Sequence, residues 1–162
     1  MNVAVITCSN RSAAGERVDD SGRLLADLGA AEGYDVVSQT VVPDEVGAIR
    51  AAVQAAVVAG AEVVLTTGGT GISPTDVTPE AVGPLLERAV PGIAEAIRLA
   101  ARDRVPTSVL SRGLSGTIGR SLVVTLPGSP GGVRDAMAVL VPLLEHAVAQ
   151  LAGGDHRPGG GA

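Results

Sequence analysis

Asp44, in Pro43-Asp44-Glu45, and Asp76, shortly after Gly68-Gly69-Thr70-Gly71, are the residues best suited to chemistry in this chain. Two carboxylates beside a glycine-rich loop could hold Mg2+ on bridging phosphates, because that ion takes one or two carboxylates and completes its shell with phosphate oxygens and water. Each has an ordinary alternative. Asp44 precedes a helical pattern and would serve as an N-cap, and Asp76 follows Ser73-Pro74-Thr75, where an aspartate turn or cap is common. Composition does not choose between these readings. Gly68-Gly69-Thr70-Gly71, two threonines after the apolar run Val63-Val64-Leu65, reads either as an anion loop, with successive N–H groups exposed, or as a tight strand-to-helix turn. The loop is neither a Walker A sequence nor GxGxxG, so both nucleotide fingerprints fail.

Two further clusters belong to the same inventory. Ser111-Arg112 pairs a hydroxyl with a guanidinium, the side chain best matched to phosphate, although a surface arginine is the plain alternative. Pro127-Gly128-Ser129 opens a helical pattern, where N–H groups favour an anion and where Ser129 is equally a simple N-cap.

Other chemistry is excluded by what the chain lacks. All 12 basic residues are arginine, which removes Schiff-base catalysis and the P-loop lysine. Cys8 is the sole cysteine, so there is no disulfide framework, CxxC pair or cysteine-based zinc site. His146 lies in the last helical pattern and His156 in the tail, far from the candidate loops, and GxSxG is absent. A net charge of −5 and Tyr34 as the only aromatic argue against a nucleic-acid partner. No apolar run reaches the roughly 20 residues of a membrane span, and the N-terminus lacks the build of a signal peptide. The expectation is a cytoplasmic protein with no membrane or nucleic-acid partner.

The elements that must position these residues alternate between strand and helix patterns. Val3 to Ile6 reads as a buried strand, Leu24 to Ala31 keeps helical spacing with Gly33 as its stop, and Val36 to Val42 is a second strand. Val46, Ile49, Val53 and Ala56 trace a helix ending at Gly60, and Val63 to Leu65 is a third strand. Pro79 suits the first position of a helix after Thr78, and Pro91 to Ala101 reads as another helix. Val105 to Gly119 reads as loop with a short element. Leu122 to Leu126 is a fourth strand, and Val133 to Leu151 a final helix with Pro142 as a possible kink.

This alternation predicts an α/β fold: a three-layer, mostly parallel sheet with helices on both faces, in a single domain over residues 1–152, followed by a disordered tail over 153–162. Cys8-Ser9-Asn10-Arg11, Pro43-Asp44-Glu45, Gly68 onward and Pro127-Gly128-Ser129 each follow a strand. In an open parallel sheet such loops gather in one crevice at the strands' carboxyl ends, which is where ligands bind.

Thr67-Gly68-Gly69-Thr70-Gly71, Asp76-Val77-Thr78-Pro79-Glu80, Ser111-Arg112 and Leu126-Pro127-Gly128-Ser129 together resemble the molybdenum-cofactor biosynthesis family of the MoaB/Mog type, over nearly the whole chain. The resemblance implies a homotrimer and Mg2+-dependent transfer of AMP from ATP to molybdopterin, giving adenylyl-molybdopterin and pyrophosphate. It implies Asp44 and Asp76 as catalytic and Mg2+-holding residues, and Gly68, Gly69, Thr70, Gly71, Pro127, Gly128 and Ser129 as the nucleotide site. Ser9, Asn10, Thr78, Glu80, Ser111 and Arg112 are implied on the substrate side, with a molybdenum-insertion protein as a further partner. The alternative is a non-catalytic paralogue that holds or delivers the pterin. The chain departs from the family pattern at Asn10, at Thr75 and at Pro130-Gly131-Gly132, each change removing a charge.

Overall fold

The computed structural model describes residues 1–154. Strands β1 (Asn2–Cys8), β2 (Asp35–Val42), β3 (Val63–Thr67), β4 (Arg88–Ala89), β5 (Ser115–Ile118) and β6 (Ser121–Leu126) form one sheet in the order β2-β1-β3-β6-β5-β4. The first four in that order pair in parallel, and β5 and β4 add an antiparallel end. Helices α1 (Asn10–Ala13), α2 (Asp20–Ala31), α3 (Val46–Val58), α4 (Thr78–Val82), α5 (Pro91–Ala101) and α6 (Pro130–Leu151) fill the connections.

The period-2 alternation of strands divides the core between two faces. In β1, Val3 and Val5 join Leu25 of α2, Ile93 and Ile97 of α5, and Val133, Met137, Leu140 and Leu144 of α6. Ala4, Ile6 and Cys8 point the other way, to Ile49 and Val53 of α3 and Ala81 and Val82 of α4. The fold is therefore the expected three-layer α/β sandwich in a single domain. Among the described residues no helix is long and apolar enough to cross a membrane.

Some expectations are corrected. The third and fourth predicted strands are β3 and β6, because β4 and β5 intervene. The stretch read as loop with a short element, Val105 to Gly119, contains a 3-10 turn at Pro106–Leu110 and also all of β5. A two-residue hairpin, Gly119-Arg120, joins β5 to β6, and Gly119 adopts φ +56°, as such turns require. Helix α6 runs as one helix through Pro142. It ends at Leu151 as expected, and Gly153 (φ +88°) and Gly154, the first two residues of the expected tail, donate to the carbonyls of Gln150 and Ala149 as a glycine C-cap. The remainder of the expected tail, 155–162, lies outside the described residues.

Candidate functional site

Strand order reverses at β1 and β3. From β1 the chain crosses to β2 on one side, then returns past β1 to β3 on the other. The crevice at the carboxyl ends of β1 and β3 is thus a topological switch point, the expected ligand position in an open α/β sheet. There the loop after β3 lies against the end of β1. Gly68 has φ +98°, and a Cβ on it would stand 2.3 Å from the Cys8 carbonyl oxygen. Gly69 (φ +63°) leaves room for the Thr78 hydroxyl and for Asp44 Oδ1, which would stand 3.3 Å from a Cβ there. Left-handed backbone and close approach both demand glycine at these two positions.

Asp44 is not a helix cap. The N-cap of α3 is Glu45, without a side-chain cap bond. Instead the Asp44 carboxylate Oδ2 accepts from the Asn10 amide at 2.8 Å, and Asn10 Oδ1 accepts from the Asp44 amide at 2.9 Å. This reciprocal pair ties the end of β2 to the start of α1. Asp76 closes a local turn: its Oδ2 accepts from the Ser73 amide at 2.9 Å, while its own amide donates to the Ser73 carbonyl. The N-cap of α4 is Val77. Both aspartates therefore use Oδ2 for a backbone amide, which leaves Oδ1 of each for another partner.

Asp44, Asp76, Ser9, Asn10 and Gly69 line one cavity of about 340 Å³. A second, of about 550 Å³, shares Gly69 and Asp76 with it and continues past Thr70, Gly71 and Ser111 to Pro127, Gly128 and Ser129. Its far end is aliphatic, with Ile97, Ala101, Val105 and Leu110. The structure thus gathers Ser9, Asn10, Asp44, Gly69, Thr70, Gly71, Asp76, Ser111, Pro127, Gly128 and Ser129 around two adjoining spaces. Ser129 is also the N-cap of α6, accepting from Gly132 at 3.1 Å.

Gly68, Thr78, Glu80 and Arg112 line neither space, and the Gly68 amide donates to the Leu126 carbonyl at 3.1 Å. The buried Thr78 hydroxyl donates to the Gly68 carbonyl at 2.9 Å, and its amide donates to the Gly69 carbonyl. Arg112 clasps the loop from behind. Nε donates to the Gly71 carbonyl at 2.7 Å, Nη2 to the Asp76 carbonyl at 2.6 Å, and Nη1 pairs with the Glu80 carboxylate. The Arg112 amide adds a bond to the Thr70 carbonyl at 2.7 Å. Hydrogen bonding from Arg112 holds the Glu80 carboxyl below its usual range. Cys8, which lines the smaller space, has its thiol pushed up to about 12 by burial, against a hydrogen bond from Thr78 that lowers it and with Asp44's charge adding to the rise.

Three charged residues that line the larger space were not singled out by sequence. Arg98 sits in a helix whose apolar stripe (Ile93, Ile97, Ala101) drew the reading, yet its Nη1 donates to the carbonyls of Ser111 and Gly113. Arg104 and Asp135, on different elements, form an ion pair that no spacing rule would disclose.

Among the described residues no group of three or more His, Cys, Asp or Glu is placed to hold a metal ion. A Mg2+ ion that draws most of its ligands from phosphates and water needs only the two carboxylates. The free Oδ1 atoms of Asp44 and Asp76, on one cavity and beside a loop that admits close backbone approach, fit that demand.

Comparison with known proteins gives the family. Residues 4–146 match the family described as "Probable molybdopterin binding domain". The chain is 43% identical over 152 residues to the molybdenum cofactor biosynthesis bifunctional protein of Synechococcus elongatus, covering 94% of this chain and 48% of that protein, so it spans about half that relative's length. It is 42% identical over 144 residues to molybdenum cofactor biosynthesis protein B of Bacillus cereus, covering 84% of this chain and 83% of the relative. A solved molybdopterin biosynthesis protein from Mycobacterium abscessus has a TM-score of 0.89 and 42% identity, covering 94% of this chain and 96% of that one. By sequence and by fold, the chain belongs to the molybdenum-cofactor biosynthesis family of the MoaB/Mog type.

Proposed function

We propose that this chain acts in molybdenum cofactor biosynthesis by transferring AMP from ATP to molybdopterin, with Mg2+ on the phosphates. The observation that carries this reading is the shared cavity wall. Asp44 and Asp76 line one cavity beside the glycine loop, and the adjoining space is large enough for a nucleotide or a pterin. A terminal phosphate oxygen of the pterin would bond to the α-phosphorus of ATP as the bond to the β-phosphate oxygen breaks, releasing pyrophosphate. Such a transfer asks the protein for positioning and charge neutralisation, not for a covalent nucleophile, so the absence of lysine and the inert Cys8 thiol are no obstacle.

In this reading Asp44 and Asp76 hold the ion, and backbone amides of the Gly69–Gly71 loop and of Gly128 and Ser129 hold phosphate oxygens. When bound, Mg2+ would neutralise charge on the transferring phosphates. Assembly as a homotrimer and delivery to a molybdenum-insertion protein belong to the same proposal. The test is pyrophosphate release from ATP, Mg2+ and molybdopterin. Turnover that depends on all three supports adenylyl transfer. One observation favours the second reading, a pterin carrier: Asn10 meets Asp44 with a neutral amide, so only two carboxylates serve the cavity. Binding of molybdopterin without pyrophosphate release would select it.

A further inference from the structure

The charged side chains that line the larger cavity are Asp76, Asp135, Arg98 and Arg104. Their formal charges cancel, but their commitments differ. Arg98 gives its Nη1 to two backbone carbonyls, at 3.0 and 3.3 Å. Asp76 holds the Ser73 amide. Arg104 and Asp135 hold each other, Nη2 to Oδ1 at 2.5 Å, across the gap between the segment after α5 and the second turn of α6. Arg104 is 65% exposed, and Asp135 18%.

A phosphate-bearing ligand entering this space meets two carboxylates, and like charges at close range oppose it. Of the two cations on the cavity wall, Arg104 is the one whose guanidinium is not bonded to backbone carbonyls. Its own side of the ion pair is solvent-exposed, so the guanidinium can leave Asp135 for another partner at little cost. Its planar fork matches phosphate oxygens in two-point geometry, and a phosphate offers it more charge than a carboxylate does. Resting on the adenylyl-transfer reading of this site, we propose that Arg104 is a phosphate-contacting, specificity-determining residue. Asp135 holds its guanidinium at the cavity wall until a phosphate group displaces it. The phosphate belongs either to the nucleotide or to the pterin.

Calorimetric titration of wild type, Arg104→Ala, Arg104→Lys and Asp135→Asn with Mg-ATP, and separately with a monophosphorylated pterin, tests this. Thermal melts of each protein serve as the check on folding. Arg104→Ala is expected to bind about tenfold more weakly, the loss of one charge-assisted contact, with Arg104→Lys between it and wild type. Asp135→Asn is the decisive variant. A guanidinium freed from its partner binds phosphate more tightly, by about threefold or more, whereas a merely structural bridge predicts weaker or unchanged binding. The ligand that responds identifies the phosphate. Asp135→Asn binding both ligands no more tightly than wild type, or Arg104→Ala binding both as wild type does, overturns the role of Arg104 alone. Wild type that binds neither ligand overturns the proposed function itself.

Discussion

The two cavities that meet at Gly69 and Asp76 are built on opposite principles. The smaller is locked: Asn10 and Asp44 exchange two bonds, Asp76 closes its own turn, and Thr78 fixes the glycine loop beneath them. The larger is loosely held, with an aliphatic end and, on its wall, an ion pair whose arginine is exposed. Rigid carboxylates suit a small cation and phosphate oxygens, whose geometry is demanding, while aliphatic walls accept the body of an organic ligand. On this view, changes in the locked region should harm the chemical step, and changes in the loose region should harm binding.

The largest test of that contrast is Asp76→Asn. It keeps an acceptor for the Ser73 amide but removes the charge, so folding should survive while pyrophosphate release falls by about 10²–10³-fold. An unaltered rate would remove Asp76 from the chemistry. Next comes Gly68→Ala, which forces a side chain into left-handed backbone against the Cys8 carbonyl. About 2–3 kcal/mol of stability should be lost, a fall in melting temperature of roughly 5–10 °C. A melting temperature equal to wild type would mean the loop is less rigid than its contacts imply.

Arg112→Lys should act through the loop rather than through binding. A lysine cannot serve Gly71, Asp76 and Glu80 together, so the rate is expected to fall about tenfold with KM little changed. A rise in KM alone would return Arg112 to the substrate. The pH dependence of the same clasp is smaller, because the pair is exposed. Glu80's carboxyl is lowered in the folded state by Arg112, so its contribution is fully present above the ordinary value of 4.5 and is lost as pH falls through the lowered one. The Arg112 Nε–H signal, followed by NMR, should hold steady down to pH 4.5 and shift only below it, and Glu80→Gln should abolish that shift. The smallest effect concerns Cys8, whose thiol at about 12 should resist a thiol reagent at pH 8 in the native protein and react at once in denaturant.

How much of this was legible in the sequence follows from the reach of each interaction. Strands β1, β2, β3 and β6 announce themselves as β-branched or apolar runs, and the turn residues after them place the crevice. Arg88–Ala89 and Ser115–Ile118 carry no such run, so the antiparallel end of the sheet stayed hidden, although Gly119-Arg120 between Ile118 and Ser121 is a hairpin signal. The roles of Asp44 and Asp76 were undecided between cap and ligand, because only the fold shows that neither caps a helix. Arg98, Arg104 and Asp135 were missed for a similar reason. Their contacts reach across elements, and helical spacing says nothing about them.

Gly68 touches more than the end of β1. A Cβ on Gly128 would stand 3.0 Å from Gly68 Cα, and Thr67 Oγ1 reaches the Pro127 carbonyl at 2.8 Å. The turns after β3 and β6 are therefore one mechanical unit, and neither glycine can be varied as though the other were distant. Substitutions at the two positions should be non-additive in a double-mutant cycle. A randomised library selected for folding should lose both positions first. New ligand preferences in this scaffold would have to arise at neighbours with open space, such as the exposed Ile72, and not at the seam itself.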